Sequence, residues 1–189
     1  MLKIKADYPS AKELSEVFSV DLREFIRTIP DFPEKGVQFR DITTLLRDRN
    51  AFRHTVDALH KRYKDAGVDV VVGIESRGFV FASVLAYVLG RPLVLVRKEG
   101  KLPHTTVKEI YALEYGTNVV EVHKDAIHEG ENALIVDDLI ATGGTLLAAI
   151  KMIEKLGGKV VECAVVVELP ELKGRERLKN YPIFSLVKF

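Results

Sequence analysis

The sequence predicts an α/β fold, a mainly parallel sheet flanked by helices. Three observations carry that expectation. Apolar runs rich in Val and Ile recur between residues 68 and 167; segments of helical period separate several of them; and glycine or proline stands where one kind of run gives way to the other. The runs "VDVVVGI" (68–74), "PLVLV" (92–96), "NALIV" (132–136) and "KVVECAVVVEL" (159–169) read as strands buried on both faces, the pattern of a parallel sheet.

Between them, "FVFASVLAYVLG" is apolar around nearly its whole circumference until Gly90 and Pro92 stop it, as a buried helix would be. After "GGT", Leu146, Ile150 and Ile153 mark one face of a helix that ends at Gly157-Gly158. Upstream, Phe52, Val56, Leu59, Tyr63 and Ala66 form another such stripe. Residues 10–28 also read as helical, in one piece or two, with Ser19 and Asp21 as alternative caps. Two segments resist assignment to helix or strand: "IPDFPEKGVQFRD" (29–41) and the long polar stretch 97–116. Connections of that kind often carry function.

Composition narrows the possibilities. With 47% apolar and 29% charged residues the chain matches ordinary globular proteins. Its net charge of +1 lacks the basic excess of a dedicated nucleic-acid binder, so no nucleic-acid partner is expected. The lone Cys163 lies in an apolar run and reads as an inert core thiol. No apolar leader opens the sequence and no hydrophobic stretch is long enough to span a bilayer, so the expectation is a cytoplasmic protein without a membrane partner. No repeat or linker divides residues 1–189, which are therefore expected to form a single domain.

The stretch "ALIVDDLIATGGT" is the most informative. If "NALIV" is a parallel strand, Asp137 and Asp138 lie at its carboxyl end, where open α/β sheets bind ligands. Gly143 and Gly144 then allow close backbone approach, and the following helix start offers unpaired N–H groups, a phosphate cradle to which Thr142 and Thr145 add hydroxyls. Carboxylates beside such a cradle would repel a phosphate unless something lies between. A ribose does so: its vicinal hydroxyls donate to the aspartates while its 5-phosphate sits in the loop. An isolated acidic pair is ordinarily a solvated strand end, but here strand, acids, glycines and helix follow in the order a ribose phosphate requires. No lysine follows the glycines, so this is not a Walker loop, and no G-x-G-x-x-G occurs.

The same stretch resembles the phosphoribosyl pyrophosphate motif of the type I phosphoribosyltransferases. In order and spacing, "IPDFPEKGVQFRDIT", "ESRGFVFA", "VRKEGKLP", "YALEYG", "VDDLIATGGT" and "ELKGRERL" are similar to the adenine-using branch, over about residues 25–187. The resemblance implies transfer of a phosphoribosyl group from phosphoribosyl pyrophosphate to N9 of adenine, giving AMP and pyrophosphate. It also implies Mg2+ held mainly through substrate oxygens and water, a homodimer, an N-terminal hood over about residues 1–42, and a flexible catalytic loop at about 97–116. Residue by residue, it places ribose and 5-phosphate on Asp137, Asp138, Ala141, Thr142, Gly143, Gly144 and Thr145, and pyrophosphate on Ser76, Arg77, Arg97, Lys98 and Lys101. Adenine would meet Phe39 by stacking, backbone groups of Gln38 and Arg40 at its edge, and Leu169 on its other face. Glu114 would move a proton at the purine, beside Tyr115 in the closing loop, and Arg77 would act near the base as well. Gln38 replaces a smaller apolar residue of some relatives, and His104 has no assigned role. Phosphoribosyltransferases for 6-oxopurines carry an aspartate base where this chain has Ala141, although some xanthine-using relatives also lack it. DNA-binding regulators of the same fold carry a winged-helix module, for which the roughly 28 residues before "IPDFPEKG" leave no room.

Overall fold

The computed structural model describes residues 20–112 and 117–189. A two-stranded antiparallel ribbon, β1 (Arg27–Pro30) with β2 (Gln38–Asp41), precedes helices α1 (Thr43–Arg47) and α2 (Arg49–Tyr63). The main sheet follows: β3 (Val70–Ile74), β4 (Leu93–Lys98), β5 (Thr106–Ala112), β6 (Thr117–His123), β7 (Asn132–Ile140), β8 (Lys159–Glu168) and β9 (Ile183–Lys188). Its order is β5-β6-β4-β3-β7-β8-β9; β4, β3, β7, β8 and β9 are parallel, and β6 runs antiparallel to β4 and β5. Helices α3 (Gly78–Leu89), α4 (Gly144–Lys155) and the one-turn α5 (Gly174–Arg177) complete the chain.

The Val and Ile runs form strands because both sheet faces are covered. Val70, Val72, Ile74, Ala133 and Ile135 pack with Leu146, Ile150 and Ile153 of α4 on one face. Their neighbours Val71, Leu134 and Val136 pack with Phe81, Ala82 and Leu85 of α3 and Leu59 of α2 on the other. Period-two alternation thus feeds two cores from the same strands. Full burial of Phe81 alone contributes about 1.5–3 kcal/mol. Helix α2 starts where Asp48 accepts hydrogen bonds from the amides of Asn50 and Ala51, both 2.9 Å.

Several expectations are corrected. Of the helix expected over 10–28, residues 10–19, including Ser19, lie outside the described residues. Asp21 does cap a short 3-10 turn, Leu22–Phe25, but β-branched Thr28 and Ile29 then enter β1, where Arg27 pairs with Asp41 across the ribbon. The unassigned segment 29–41 is therefore largely this ribbon and its turn. Residues 97–116 are not a loop throughout: β4 runs to Lys98 and β5 occupies Thr106–Ala112, with buried Glu121 accepting from the amides of Lys101 and Leu102 and from the Thr106 hydroxyl. Strand β4 is covered on one face only, leaving Leu93 and Leu95 exposed. Ala66 is exposed beyond the end of α2.

One topological feature positions the site. Helix α3 leaves β3 toward one face and α4 leaves the adjacent β7 toward the other, so a crevice opens between the carboxyl ends of the two strands. The β3 ladder with β7 ends at Gly73 and Val136, while β8 goes on pairing β7 through Ile140 and Glu168. From Asp137 onward β7 is paired on one edge and open on the other.

Candidate functional site

Asp137 and Asp138 lie within β7, three and two residues before its end, because β8 continues to satisfy the backbone there. Both are buried. Asp137 Oδ1 accepts from the Asp138 amide at 2.8 Å, and Gly78 at the start of α3 packs so closely that a Cβ there would lie 2.7 Å from Asp137 Oδ1. That glycine allows the helix to approach the acid. Asp138 Oδ2 lies 2.8 Å from Arg77 Nε, at the N-cap of the same helix, but the approach is not a well-aligned hydrogen bond. Burial, with the neighbouring Asp138 charge, pushes the Asp137 carboxyl well above the usual carboxylate range. Burial also raises Asp138, and Arg77 offsets part of the effect.

The glycine loop follows directly. Gly143, with φ +77°, is the N-cap of α4 and takes a left-handed conformation in which a side chain would be strained. A cleft of about 190 Å³ runs along the loop and is lined by Asp137, Leu139 and Ile140, by Ala141, Thr142, Gly143, Gly144 and Thr145, and by Tyr111. Of the residues expected to hold ribose and 5-phosphate, all but Asp138 line this cleft; Asp138 is paired with Arg77 instead. Tyr111 escaped the sequence reading. The signal was present: two β-prone runs, "TVKEIYA" and "TNVVEVH", flank a glycine, the mark of a hairpin that brings Tyr111 back over the sheet edge.

Arg77 links this cleft to the ribbon. Its guanidinium carbon stands 5.2 Å from the centroid of the Phe39 ring, and Phe32 meets Phe39 edge-on at 5.1 Å. Phe39 is half-buried. The Arg40 guanidinium lies over the Phe189 ring and donates to the Thr28 hydroxyl, while its backbone sits opposite Thr28 in the ribbon. Gln38 is exposed opposite Pro30 in the ribbon. Leu169 follows β8, half-buried, its amide donating to the Ile140 carbonyl at 3.0 Å.

The cations expected at pyrophosphate differ in their surroundings. Ser76, Lys98 and Lys101 are exposed at the ends of β3 and β4. Arg97 Nε donates to Glu75 Oε2 at 3.0 Å and another of its nitrogens to the Lys101 carbonyl at 3.0 Å. Burial works against ionisation of Glu75, but the Lys98 amide and Arg97 outweigh it and hold the carboxyl below its usual range. Glu114 and Tyr115 lie outside the described residues.

What the site can do chemically is therefore bounded: an acidic crevice floor, an amide cradle beside it, one arginine bridging acid and aromatic ring, and further cations at the neighbouring strand ends. Residues 41–189 match the model of the phosphoribosyl transferase domain. The adenine phosphoribosyltransferase of Chloroflexus aurantiacus is 55% identical over 169 residues, 89% of this chain and 98% of that protein. The crystal structure of the adenine phosphoribosyltransferase of Thermoanaerobacter pseudethanolicus superposes with a TM-score of 0.86 at 48% identity, covering 89% of this chain and 98% of that one. That of Saccharomyces cerevisiae, crystallised with adenine and an imino-altritol bisphosphate, gives 0.83 at 41% identity over 88% and 96%. Sequence and architecture agree over nearly the whole length of these relatives, and the chain belongs to the phosphoribosyltransferase family, in its adenine phosphoribosyltransferase branch.

Proposed function

We propose that the crevice between β3 and β7 transfers the phosphoribosyl group of phosphoribosyl pyrophosphate to N9 of adenine, forming AMP and releasing pyrophosphate in purine salvage. The observation that carries this reading is the cleft in which Asp137 lies beside the glycine cradle, with the neighbouring Asp138 paired to Arg77. The aspartates accept the ribose 2- and 3-hydroxyls, and the amides of Thr142 to Thr145 with their hydroxyls bind the 5-phosphate. Arg77 then exchanges Asp138 for the departing pyrophosphate, helped by Ser76, Arg97, Lys98 and Lys101. The C1–oxygen bond to pyrophosphate breaks as N9 attacks C1, so the residues must stabilise an anion on one side and hold the purine in line on the other. Phe39 and Leu169 sandwich the base, backbone groups of Gln38 and Arg40 read its edge, and Glu114 takes up the proton that the purine releases.

Two neighbouring carboxylates are too few for an all-protein cage, but they suit a magnesium ion that keeps its substrate oxygens and waters. Such an ion would supply charge neutralisation on the pyrophosphate, and Asp137 and Asp138 would hold it through the sugar hydroxyls. Ala141 cannot act as a base on a 6-oxopurine, which supports adenine over hypoxanthine or guanine. Residues 1–189 work as one domain. Among the described residues no helix is long and apolar enough to cross a membrane, which is consistent with a cytoplasmic enzyme.

The homodimer is supported by an apolar face. Val80, Tyr87 and Val88 on α3 and Leu93 and Leu95 on β4 are exposed, Tyr87 by 85%. Tyr87→Glu with Leu95→Lys is expected to yield monomers in sedimentation velocity; an unchanged dimer would move the interface elsewhere. The reaction itself is tested by pyrophosphate release from phosphoribosyl pyrophosphate with adenine, with and without magnesium, in competition with hypoxanthine and xanthine. Magnesium-dependent turnover of adenine alone is expected. Turnover of an oxopurine in its place would replace the assignment of the base.

A further inference from the structure

Behind the glycine loop lies a segment the reaction as described does not use. After β8, Pro170–Leu172 makes one 3-10 turn, Lys173 turns left-handed at φ +54°, and Gly174 opens the short α5. Gly174 is pressed against the loop from the rear: a Cβ there would lie 2.4 Å from the Ala141 carbonyl oxygen and 2.8 Å from Ile140 Cγ1. The contact is reciprocal, since a Cβ on Gly143 would lie 2.8 Å from the Gly174 carbonyl oxygen. Two bare backbones therefore meet here, one of them the cradle itself.

The segment is fixed in place by the next residue. Arg175 donates to Glu168 through Nε at 2.6 Å and through a terminal nitrogen at 2.8 Å, and its other terminal nitrogen donates to the Ile183 carbonyl at 2.9 Å. Glu168 also accepts from the Ser185 hydroxyl at 2.5 Å, and it pairs in register with Ile140, the residue before the loop. A fork of hydrogen bonds thus ties the backing segment to β8, the neighbour in register with the strand that carries the loop, and a fork holds direction as well as distance.

We propose that Lys173–Arg175 is a backing plate that sets the position of the phosphate loop, with Gly174 and Arg175 as positioning residues for the 5-phosphate of the donor. The proposal rests on the reading that residues 141–145 bind that phosphate. A methyl group at Gly174 would collide with the Ala141 carbonyl and the Ile140 side chain and so displace the start of the loop, and misplacement of about 1 Å can cost up to 100-fold. Arg175→Lys keeps the charge but loses the fork, so the plate loosens without being displaced.

Calorimetric binding of ribose 5-phosphate and of pyrophosphate separates this role from a general loss of structure. Gly174→Ala is expected to weaken ribose 5-phosphate by at least about tenfold while pyrophosphate changes less than about twofold. Arg175→Lys is expected to act in the same direction by a smaller factor, and decides the matter if Gly174→Ala does not fold. Thr145→Val, which removes a hydroxyl from the cradle, is the control. If Thr145→Val weakens ribose 5-phosphate and neither backing variant does, or if a backing variant weakens both ligands equally, the positioning role is overturned and the loop reading stands. If the unaltered protein does not bind ribose 5-phosphate, or Thr145→Val binds it normally, the loop reading fails and the proposal fails with it.

Discussion

Strands β7 and β8 lie side by side and each carries buried carboxylates, yet the two sets are treated in opposite ways. Glu168 on β8 is met by both forks of Arg175 and by Ser185, and these contacts hold it below the usual carboxylate range despite its burial. Glu162, further back on β8, accepts two hydrogen bonds from Arg62 and one from Tyr63. Asp137 on β7 has one backbone amide and a like charge beside it, and Asp138 a single arginine. The β8 acids are complete without a ligand. The β7 acids are buried neighbours with few partners, an arrangement that costs stability unless something arrives to donate to them. Ribose hydroxyls would be such donors. Satisfaction, not burial, distinguishes a carboxylate that holds the fold from one that serves the site.

The sharpest test removes charge without changing shape. Asp137→Asn with Asp138→Asn forfeits two charge-assisted contacts of about 1.5–3 kcal/mol each, which together amount to a roughly 10²- to 10⁴-fold loss of turnover. Pyrophosphate release should show that loss while the thermal midpoint of the ligand-free protein does not fall. Normal activity in the double variant would break the contrast between the strands.

Glu168→Ala addresses the other side. It leaves Arg175 and Ser185 without their acceptor, and because Arg175 is about two-fifths exposed the cost is discounted to roughly 2–3 kcal/mol from the larger value of a fully buried pair. Urea unfolding should register it as a lower midpoint at unchanged slope. A neutral result would mean that the β8 acids are no more structural than those on β7.

That contrast could not be read from the sequence, where "VDD" and "VVE" are equally acidic strand ends. What was legible were the features that depend on local pattern: the alternation of Val and Ile runs with helical stripes, the glycine loop, and the order of acids before it. What was not legible depends on pairing across long separations. That Arg175 reaches Glu168, that Arg77 stacks on Phe39 from another element, and that Tyr111 returns over the cleft all follow from sheet order, which no run of residues states. The polar segment 97–116 hid a strand because Glu121, not an apolar face, organises its turn. Of the helix expected over residues 10–28, the part from 27 onward gave way to a strand for a related reason: Arg27 finds Asp41 only across the ribbon.

The smallest expected effect is on the pH dependence of stability, where the two kinds of acid have opposite signs. Asp41 belongs with the satisfied class: hydrogen bonds from Arg27 and then from Thr43 lower it to about 2, so it contributes stability above its ordinary value near 3.8 that is lost as pH falls through about 2. Asp137 is raised in the folded state, so between 3.8 and its folded value the native protein holds a proton that the unfolded chain has released. Stability therefore falls as pH rises through that window. Unfolding midpoints measured from about pH 2 to about pH 7 should show a rising limb followed by a falling one. Asp41→Asn is expected to reduce the first. Asp137→Asn is expected to flatten the second and leave the ligand-free protein about 0.5–2 kcal/mol more stable at neutral pH, the trade of stability for activity common at binding sites. A falling limb that survives Asp137→Asn would place the strain elsewhere than in the acidic pair.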